Sequence, residues 1–253
     1  MNLPIAILTG ASAGMGRKFF EKLQQRGDID EIWIIARRED RLLEMARDAS
    51  LKTRAIALDL TKRESISEFE KLLKSENPDV RILINNAGFG KLGYIYELDC
   101  ETQMDMVELN NAALTALCTV CLSYMKKGAF IINVASIAAF APNPRMAVYC
   151  STKAYVLSFT KCIRQELKPL GINALAVCPG PMKTEFLDVA GISGGKSKTF
   201  ETLPYCDPDK VAKNALKKAE RGRSVYTPRL FFKFYRVLAR ILPHGFVMKF
   251  SKT

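Results

Sequence analysis

Six short apolar runs constrain the fold more than any other feature of the chain: "IAILTG", "EIWIIA", "TRAIALDL", "VRILINNAG", "GAFIINVAS" and "INALAVCPG". Each is strand-length, rich in β-branched residues and apolar at successive positions, the pattern of a strand buried on both faces. Between them, residues 14–26, 39–49, 63–75, 101–126 and 148–168 have helical periodicity. This alternation predicts βαβ units with right-handed crossovers. The expected fold is therefore α/β, a doubly wound parallel sheet (Rossmann-like) in a single domain. The 253 residues suffice for one large core, and no linker or internal repeat divides them. Residues 187–204, "LDVAGISGGKSKTFETLP", are rich in Gly, Ser and Lys and predict an irregular loop or lid. Asp207 and Pro208 then mark the start of a further helix.

The formal charge of +12 is unevenly spread. Residues 210–253 carry twelve Lys and Arg against one acid, Glu220, whereas residues 1–209 hold 26 basic and 25 acidic side chains. A neutral body with a basic end argues against a protein built around nucleic acid, and points to an anionic surface or partner met by the C-terminus. Seven scattered cysteines predict no disulfide framework and fit a reducing compartment, so a cytoplasmic location is expected. Cys118 and Cys121 have CxxC spacing but lie in an apolar helical stretch without a second ligand pair; they read as packing, and no metal site is expected. The opening "MNLPIAILTG" has neither a basic n-region nor a long apolar run, and so predicts no signal peptide and no membrane span.

After the first strand, Thr9 to Gly16 form a glycine-rich turn that opens a helix. Such a turn brings backbone N–H groups and the positive end of the helix to an anion, and suits a pyrophosphate. The second strand ends at Ala36 and is followed by Arg37 and Arg38, where a dinucleotide fold that uses NAD usually places an acid. An arginine fork suits a 2′-phosphate instead, so NADP is the expected cofactor, with Arg37 as its contact and Arg38 either assisting or solvated. Tyr149 and Lys153 are four residues apart on one helical face. An ammonium near a phenol lowers its pKa, which would fit Tyr149 for general acid/base work on an alcohol or carbonyl oxygen. The only histidine, His244, lies in the tail, so a Ser-His-Asp hydrolase built from the core is excluded.

TGxxxGxG at the first turn, Asp59 after the third strand, "NNAG" at 85–88, Ser136 thirteen residues before Tyr149, YxxxK at 149–153 and the Pro179-Gly180 segment follow one another over roughly residues 3–225. In this combination the chain resembles the short-chain dehydrogenase/reductase family, and "MAVYCSTKAYVLSF" is similar to a broad bacterial branch with varied substrates. The resemblance implies hydride transfer between NADP(H) and a carbonyl or secondary alcohol. It implies cofactor contacts from Gly10, Ser12, Ala13, Gly14, Met15 and Gly16, from Arg37 and Arg38, and from Asp59 and Leu60, with Asp59 at the adenine. Further contacts fall to Asn86, Ala87 and Gly88, to Tyr149 and Lys153, and to Pro179, Gly180, Met182 and Thr184, the last at the carboxamide. Ser136 would bond the substrate oxygen and Tyr149 exchange its proton. Lys153 would hold the ribose hydroxyls, and Asn110 would help bind a water relayed to it, with Asn111 as the adjacent candidate. A homo-oligomer, dimer or tetramer, through the helices at 101–126 and 148–168 is also implied. Ile137, Phe140, Met146 and Phe186 suit a lipophilic substrate or else belong to the core. The alternative is a non-catalytic NADP-binding redox sensor or a membrane-surface adaptor; a sensor has no need of Ser136, Tyr149 and Lys153 together.

The chain is thus expected to divide into an NADP-binding domain at 1–228 and a basic amphipathic segment at 229–253. In "RLFFKFYRVLARILPHGFVMKF", residues 229–250, Arg229, Lys233, Arg236 and Arg240 share one helical face, and Leu230, Phe231, Phe234, Val237, Leu238 and Ile241 make a broad apolar one. The segment is too short and too charged to span a bilayer. It suits peripheral contact with an anionic membrane, or packing on the protein's own body, over the pocket or between subunits.

Overall fold

The computed structural model describes residues 2–192, 197, 200 and 202–250. Strands β1 (Pro4–Thr9), β2 (Glu31–Ala36), β3 (Lys52–Ala57), β4 (Asp79–Asn85), β5 (Phe130–Val134), β6 (Asn173–Val177) and β7 (Val225–Tyr226) form one parallel sheet in the order β3-β2-β1-β4-β5-β6-β7. Six of these strands are the apolar runs of the sequence. Two residues are too few to show a period, and only the pairing of Val225 with Ala176 and of Tyr226 with Val177 makes the seventh a strand.

Alternate residues of each strand serve opposite layers. Ala6, Leu8, Ile32 and Ile34 pack with Phe19 and Leu23 of α1 (Gly14–Leu23) and with Val211 and Ala215 of α8 (Pro208–Glu220). Ile5, Ile7, Trp33 and Ile35 pack with Phe69 of α3 (Arg63–Glu76), Leu117 of α5 (Leu114–Leu122) and Val156 of α6 (Ala147–Glu166). Each aliphatic side chain buried in this way stabilises by ~1.5–3 kcal/mol, so both faces select apolar residues and the strands read as unbroken runs. Helix α2 (Glu39–Arg47) links β2 to β3. The strand order reverses between β1 and β4, leaving a crevice at their carboxyl ends.

The single helix expected over 101–126 is interrupted. It consists of α4 (Cys100–Val107), a π-helical turn at Glu108–Ala113, and α5. Asp99 caps α4 by accepting from the Thr102 N–H at 2.7 Å. The cause of the interruption is tertiary: Asn110, inside the π turn, is held from outside the helix by Phe89 and Thr152. Cys118 and Cys121 of α5 are buried free thiols, and burial pushes that of Cys118 up to about 12.

A short helix, α7 (Glu185–Val189), enters the stretch that the sequence presents as irregular, and residues 193–196, 198, 199 and 201 of that stretch lie outside the described residues. Asp207 caps α8 as expected, accepting from the Asp209 N–H at 2.9 Å. The C-terminal segment forms α9 (Leu230–Ile241) and α10 (His244–Phe250). Its expected apolar face is not the one that packs inward. Phe232 and Ala239 are buried and Tyr235 is half-buried, because this i, i+3, i+7 row includes the small Ala239 and meets Phe140 and Ala141. Among the described residues no helix is long and apolar enough to cross a membrane.

Candidate active site

The chain leaves β1 through Gly10 and Gly14, both at positive φ (65° and 53°), and α1 begins at once. Ala13 at the N-cap offers no side-chain acceptor, and the first turn of α1 holds no acid, so the helix's N-terminal N–H groups are left for an anion. Gly16 stands behind this turn. A Cβ there would lie 2.0 Å from the Gly10 carbonyl oxygen, so the turn closes only around a glycine. Asn86 braces the turn against β4. Its Nδ2 donates to the carbonyls of Thr9 and Gly10 at 3.1 and 3.0 Å, and Thr9 Oγ1 accepts from the N–H groups of Asn86 and Ala87 at 3.0 Å.

A cavity of about 1030 Å³ runs from the turn to α6 and on to α9. Gly10, Ser12, Ala13, Gly14 and Met15 line its start, and Arg37, Arg38, Asp59 and Leu60 its side above β2 and β3. Ala87 and Gly88 lead to Ser136, Tyr149 and Lys153, with Pro179, Gly180, Met182 and Thr184 opposite. Of the expected cofactor and catalytic residues, Gly16 and Asn110 do not line the cavity. Asp59 also shapes its own turn, accepting from the Thr61 hydroxyl at 2.8 Å. Thr184 lies over the glycine turn, where a Cβ at Gly14 would stand 3.3 Å from its own.

Two charged residues that the sequence does not announce complete the arginine cluster. Glu185, first in α7, accepts from Arg38 at 3.0 Å and from Arg41 at 2.8 Å, and Arg38 also donates to Ser12 Oγ at 3.1 Å. Hydrogen bonds from Arg41 and Arg38 hold the Glu185 carboxyl below the usual range. The only sequence sign of Arg41 is its place one turn along α2 from Arg37 and Arg38. Arg37 is exposed at the cavity edge.

At the other end, α6 carries Tyr149 and Lys153 into the cavity wall, both buried. Ser136 stands close enough to the Tyr149 hydroxyl to favour its ionised form, and its Oγ accepts from the Ala138 N–H at 3.1 Å. Lys153 Nζ donates to the Val134 carbonyl at 2.9 Å and lies 5.7 Å from the centre of the Tyr149 ring. Burial raises the Tyr149 pKa above its ordinary value, the nearby Ser136 opposing the rise, and burial lowers that of Lys153 to about 8. This corrects the expected lowering of the phenol. Both groups are desolvated, and the amine is directed at a backbone carbonyl rather than at the phenol oxygen. A phenol held in this way keeps its proton at neutral pH and suits proton donation.

Asn110 is a strut between elements. Its Nδ2 donates to the Phe89 carbonyl at 2.9 Å and to Thr152 Oγ1 at 3.0 Å, and its Oδ1 accepts from the Phe89 N–H at 3.0 Å. The side chain therefore fixes the loop after β4 against α6, and Gly88 is required beside it, since a Cβ there would lie 2.6 Å from Asn110 Oδ1.

The remaining walls are apolar. Gly90 leaves room for one edge of the Tyr149 ring, Phe186 packs on that ring at 5.7 Å between centroids, and Ile137 and Met146 line the cavity beside them. Phe140 does not line it and packs instead on Tyr235 of α9, at 6.2 Å. Phe232 of α9 rests on Gly180 so closely that a Cβ at that glycine would stand 2.2 Å from its ring. The C-terminal helix is therefore a wall of the site.

Comparison with known proteins agrees with this geometry. The model of a family described as short chain dehydrogenase matches residues 4–191. An uncharacterized oxidoreductase of Bacillus subtilis, YusZ, is 33% identical over 188 residues, which cover 73% of this chain and 67% of that protein. The 3-oxoacyl-[acyl-carrier-protein] reductase FabG of Haemophilus influenzae is 30% identical over 189 residues, 73% of this chain and 76% of its own. Among solved structures, a short-chain dehydrogenase from Sphingobium yanoikuyae in complex with NADPH superposes with a TM-score of 0.78 at 28% identity, covering 95% of this chain and 96% of that one. A bulky-bulky ketone specific alcohol dehydrogenase from Comamonas testosteroni gives 0.73 at 28% identity, covering 97% of each chain.

Proposed function

The chain belongs to the short-chain dehydrogenase family, and on that premise we propose that it is an NADP(H)-dependent oxidoreductase interconverting a lipophilic carbonyl compound and its secondary alcohol. The observation that carries this reading is that Ser136, Tyr149 and Lys153 meet in the cavity that begins at the glycine turn. The turn fits a pyrophosphate, with its uncapped, acid-free helix start and a Gly16 that tolerates no Cβ. Arg37 and Arg38 fit a 2′-phosphate beside Ser12. When bound, the reduced nicotinamide dinucleotide supplies the hydride that goes to the carbonyl carbon. Ser136 orients and polarises the substrate oxygen, and Tyr149, kept protonated by its burial, gives that oxygen its proton. Lys153 serves the ribose hydroxyls and the proton supply of Tyr149, and Asn110 acts as a positioning residue. A redox sensor would have no use for a Ser136 and Tyr149 that converge on one cavity wall.

Residues 1–228 form the NADP-binding unit in this reading. The described part of the C-terminal segment, residues 229–250, roofs it, with Phe232 resting on Gly180. The test is a panel of ketones, aldehydes and secondary alcohols followed by the absorbance of NADPH. Failure of every member to change that absorbance contradicts the assignment.

Cofactor choice follows from the arginines. Arg37→Asp places a carboxylate where a 2′-phosphate is expected, and the kcat/KM ratio of NADP(H) over NAD(H) should fall roughly ten- to a hundredfold, the scale of one or two lost charge-assisted bonds. Equal use of both cofactors by the unaltered protein contradicts the NADP preference.

The proposal includes a dimer or tetramer. Met104 and Val107 of α4 and Tyr155 of α6 are exposed, on the helices expected to pair. Light scattering at micromolar concentration should report at least twice the 28.3 kDa chain mass; a monomer contradicts it.

A further inference from the structure

Helix α9 presents three rows, each with its own surroundings. Phe232, Tyr235 and Ala239 face inward, over Gly180 and Phe140. Leu230, Phe234, Val237 and Ile241, spaced i, i+4, i+7 and i+11, face outward with exposures of 80%, 64%, 53% and 72%. Arg229, Lys233, Arg236 and Arg240 repeat the same spacing one residue earlier and flank the apolar row; among the described residues none of the four forms an ion pair. An outward row of four large apolar side chains is a contact surface rather than scattered exposure.

The outward row is continuous with the cavity. Phe231 and Leu238, on the edge of α9 between its inward and outward rows, line the cavity, as do Val189 of α7 and Phe246 of α10. Phe231, Val189 and Phe246 are also exposed. The mouth therefore has an apolar rim that runs into the outward face of α9.

We propose that α9 seats the protein on the surface of an anionic phospholipid bilayer, so that the cavity mouth opens at the lipid and a bilayer-resident carbonyl or alcohol enters past Phe231 and Leu238. The docking stands on the three rows, whereas the supply of substrate rests on the function proposed above. Charge selects this occupant. Residues 229–250 contain no acidic side chain, so a second copy docking through the same face about a two-fold axis would set like charges beside one another. Lipid phosphates meet the basic row, and the apolar row enters the acyl boundary. Twelve residues of helix, ~18 Å, lie in the interface and do not span it.

The test is sedimentation of the full chain with vesicles of phosphatidylcholine alone or with one-third phosphatidylglycerol, at low and high salt. Binding should require phosphatidylglycerol and weaken at high salt. The double variant Leu230→Glu, Phe234→Glu should bind at least about tenfold more weakly, and Lys233→Glu, Arg240→Glu should lose the dependence on phosphatidylglycerol. These side chains are exposed and do not line the cavity, so thermal melting and turnover of a water-soluble substrate should stay unchanged. An unaltered protein that remains in the supernatant with anionic vesicles at low salt overturns the proposal. So does the finding that the apolar variant binds like the parent, or that it only splits an oligomer in light scattering. Vesicle binding uses neither cofactor nor turnover, so inactivity toward all carbonyls would leave the docking standing and sink the proposed function alone.

Discussion

Tyr149→Phe should lower kcat by ~10²–10⁴-fold, the span of a lost general acid, while leaving the affinity for NADPH within a few-fold of the parent. The change deletes one oxygen and keeps the ring, so its packing against Gly90 and Phe186 survives. What disappears is the hydroxyl beside Ser136 and its transferable proton. Stopped-flow binding of NADPH, read by its fluorescence, separates the two effects. Lys153→Ala is the contrast: it removes a buried group bonded to the Val134 carbonyl in the cavity wall, and affinity and turnover should fall together. Activity retained in Tyr149→Phe would remove Tyr149 from the chemistry and leave the cavity without a proton donor in the proposed place.

The second large effect is expected at a residue that does not line the cavity. Gly16→Ala introduces a Cβ 2.0 Å from the Gly10 carbonyl oxygen, well inside contact distance and against backbone that cannot swing away. The turn must shift by about an ångström or open. Overpacking of this kind destabilises by ~1–3 kcal/mol, and if the turn holds the pyrophosphate as proposed, a shift of that size should weaken NADPH binding on the order of a hundredfold. Calorimetric melting and cofactor titration read the two consequences separately. Gly27→Ala is the control, because nothing lies within 4 Å of a Cβ at that position. A Gly16→Ala protein that binds NADPH like the parent would show that the glycine turn does not hold the pyrophosphate.

The sheet was readable because its cause is local. Residues such as Ile5 to Leu8 and Ile32 to Ile35 are buried on both sides, and burial on both sides writes itself into sequence as unbroken apolar runs. The glycine turn was readable for a related reason, since Gly10 and Gly14 have positive φ that a side chain opposes. Tyr149 and Lys153 are linked by helical spacing alone, and their meeting needed no knowledge of the rest of the chain.

Other features depend on residues that are far apart in sequence. The π turn at Glu108–Ala113 exists because Asn110 reaches Phe89 and Thr152, 21 and 42 residues away, and helical periodicity carries no trace of either bond. Spacing alone points the Tyr149 pKa downward, whereas burial raises it, because a neighbouring charge is visible in sequence and desolvation is not. Glu185 joins Arg38 and Arg41 across more than a hundred residues. In α9 the sequence determined one basic face and one broad apolar face, and did not single out the row of Phe232, Tyr235 and Ala239 that turns inward. That was decided by the fit of Phe232 on Gly180 and of Ala239 against Ala141. Periodicity reports which side chains share a face, and only close packing against a particular neighbour selects the face that is buried.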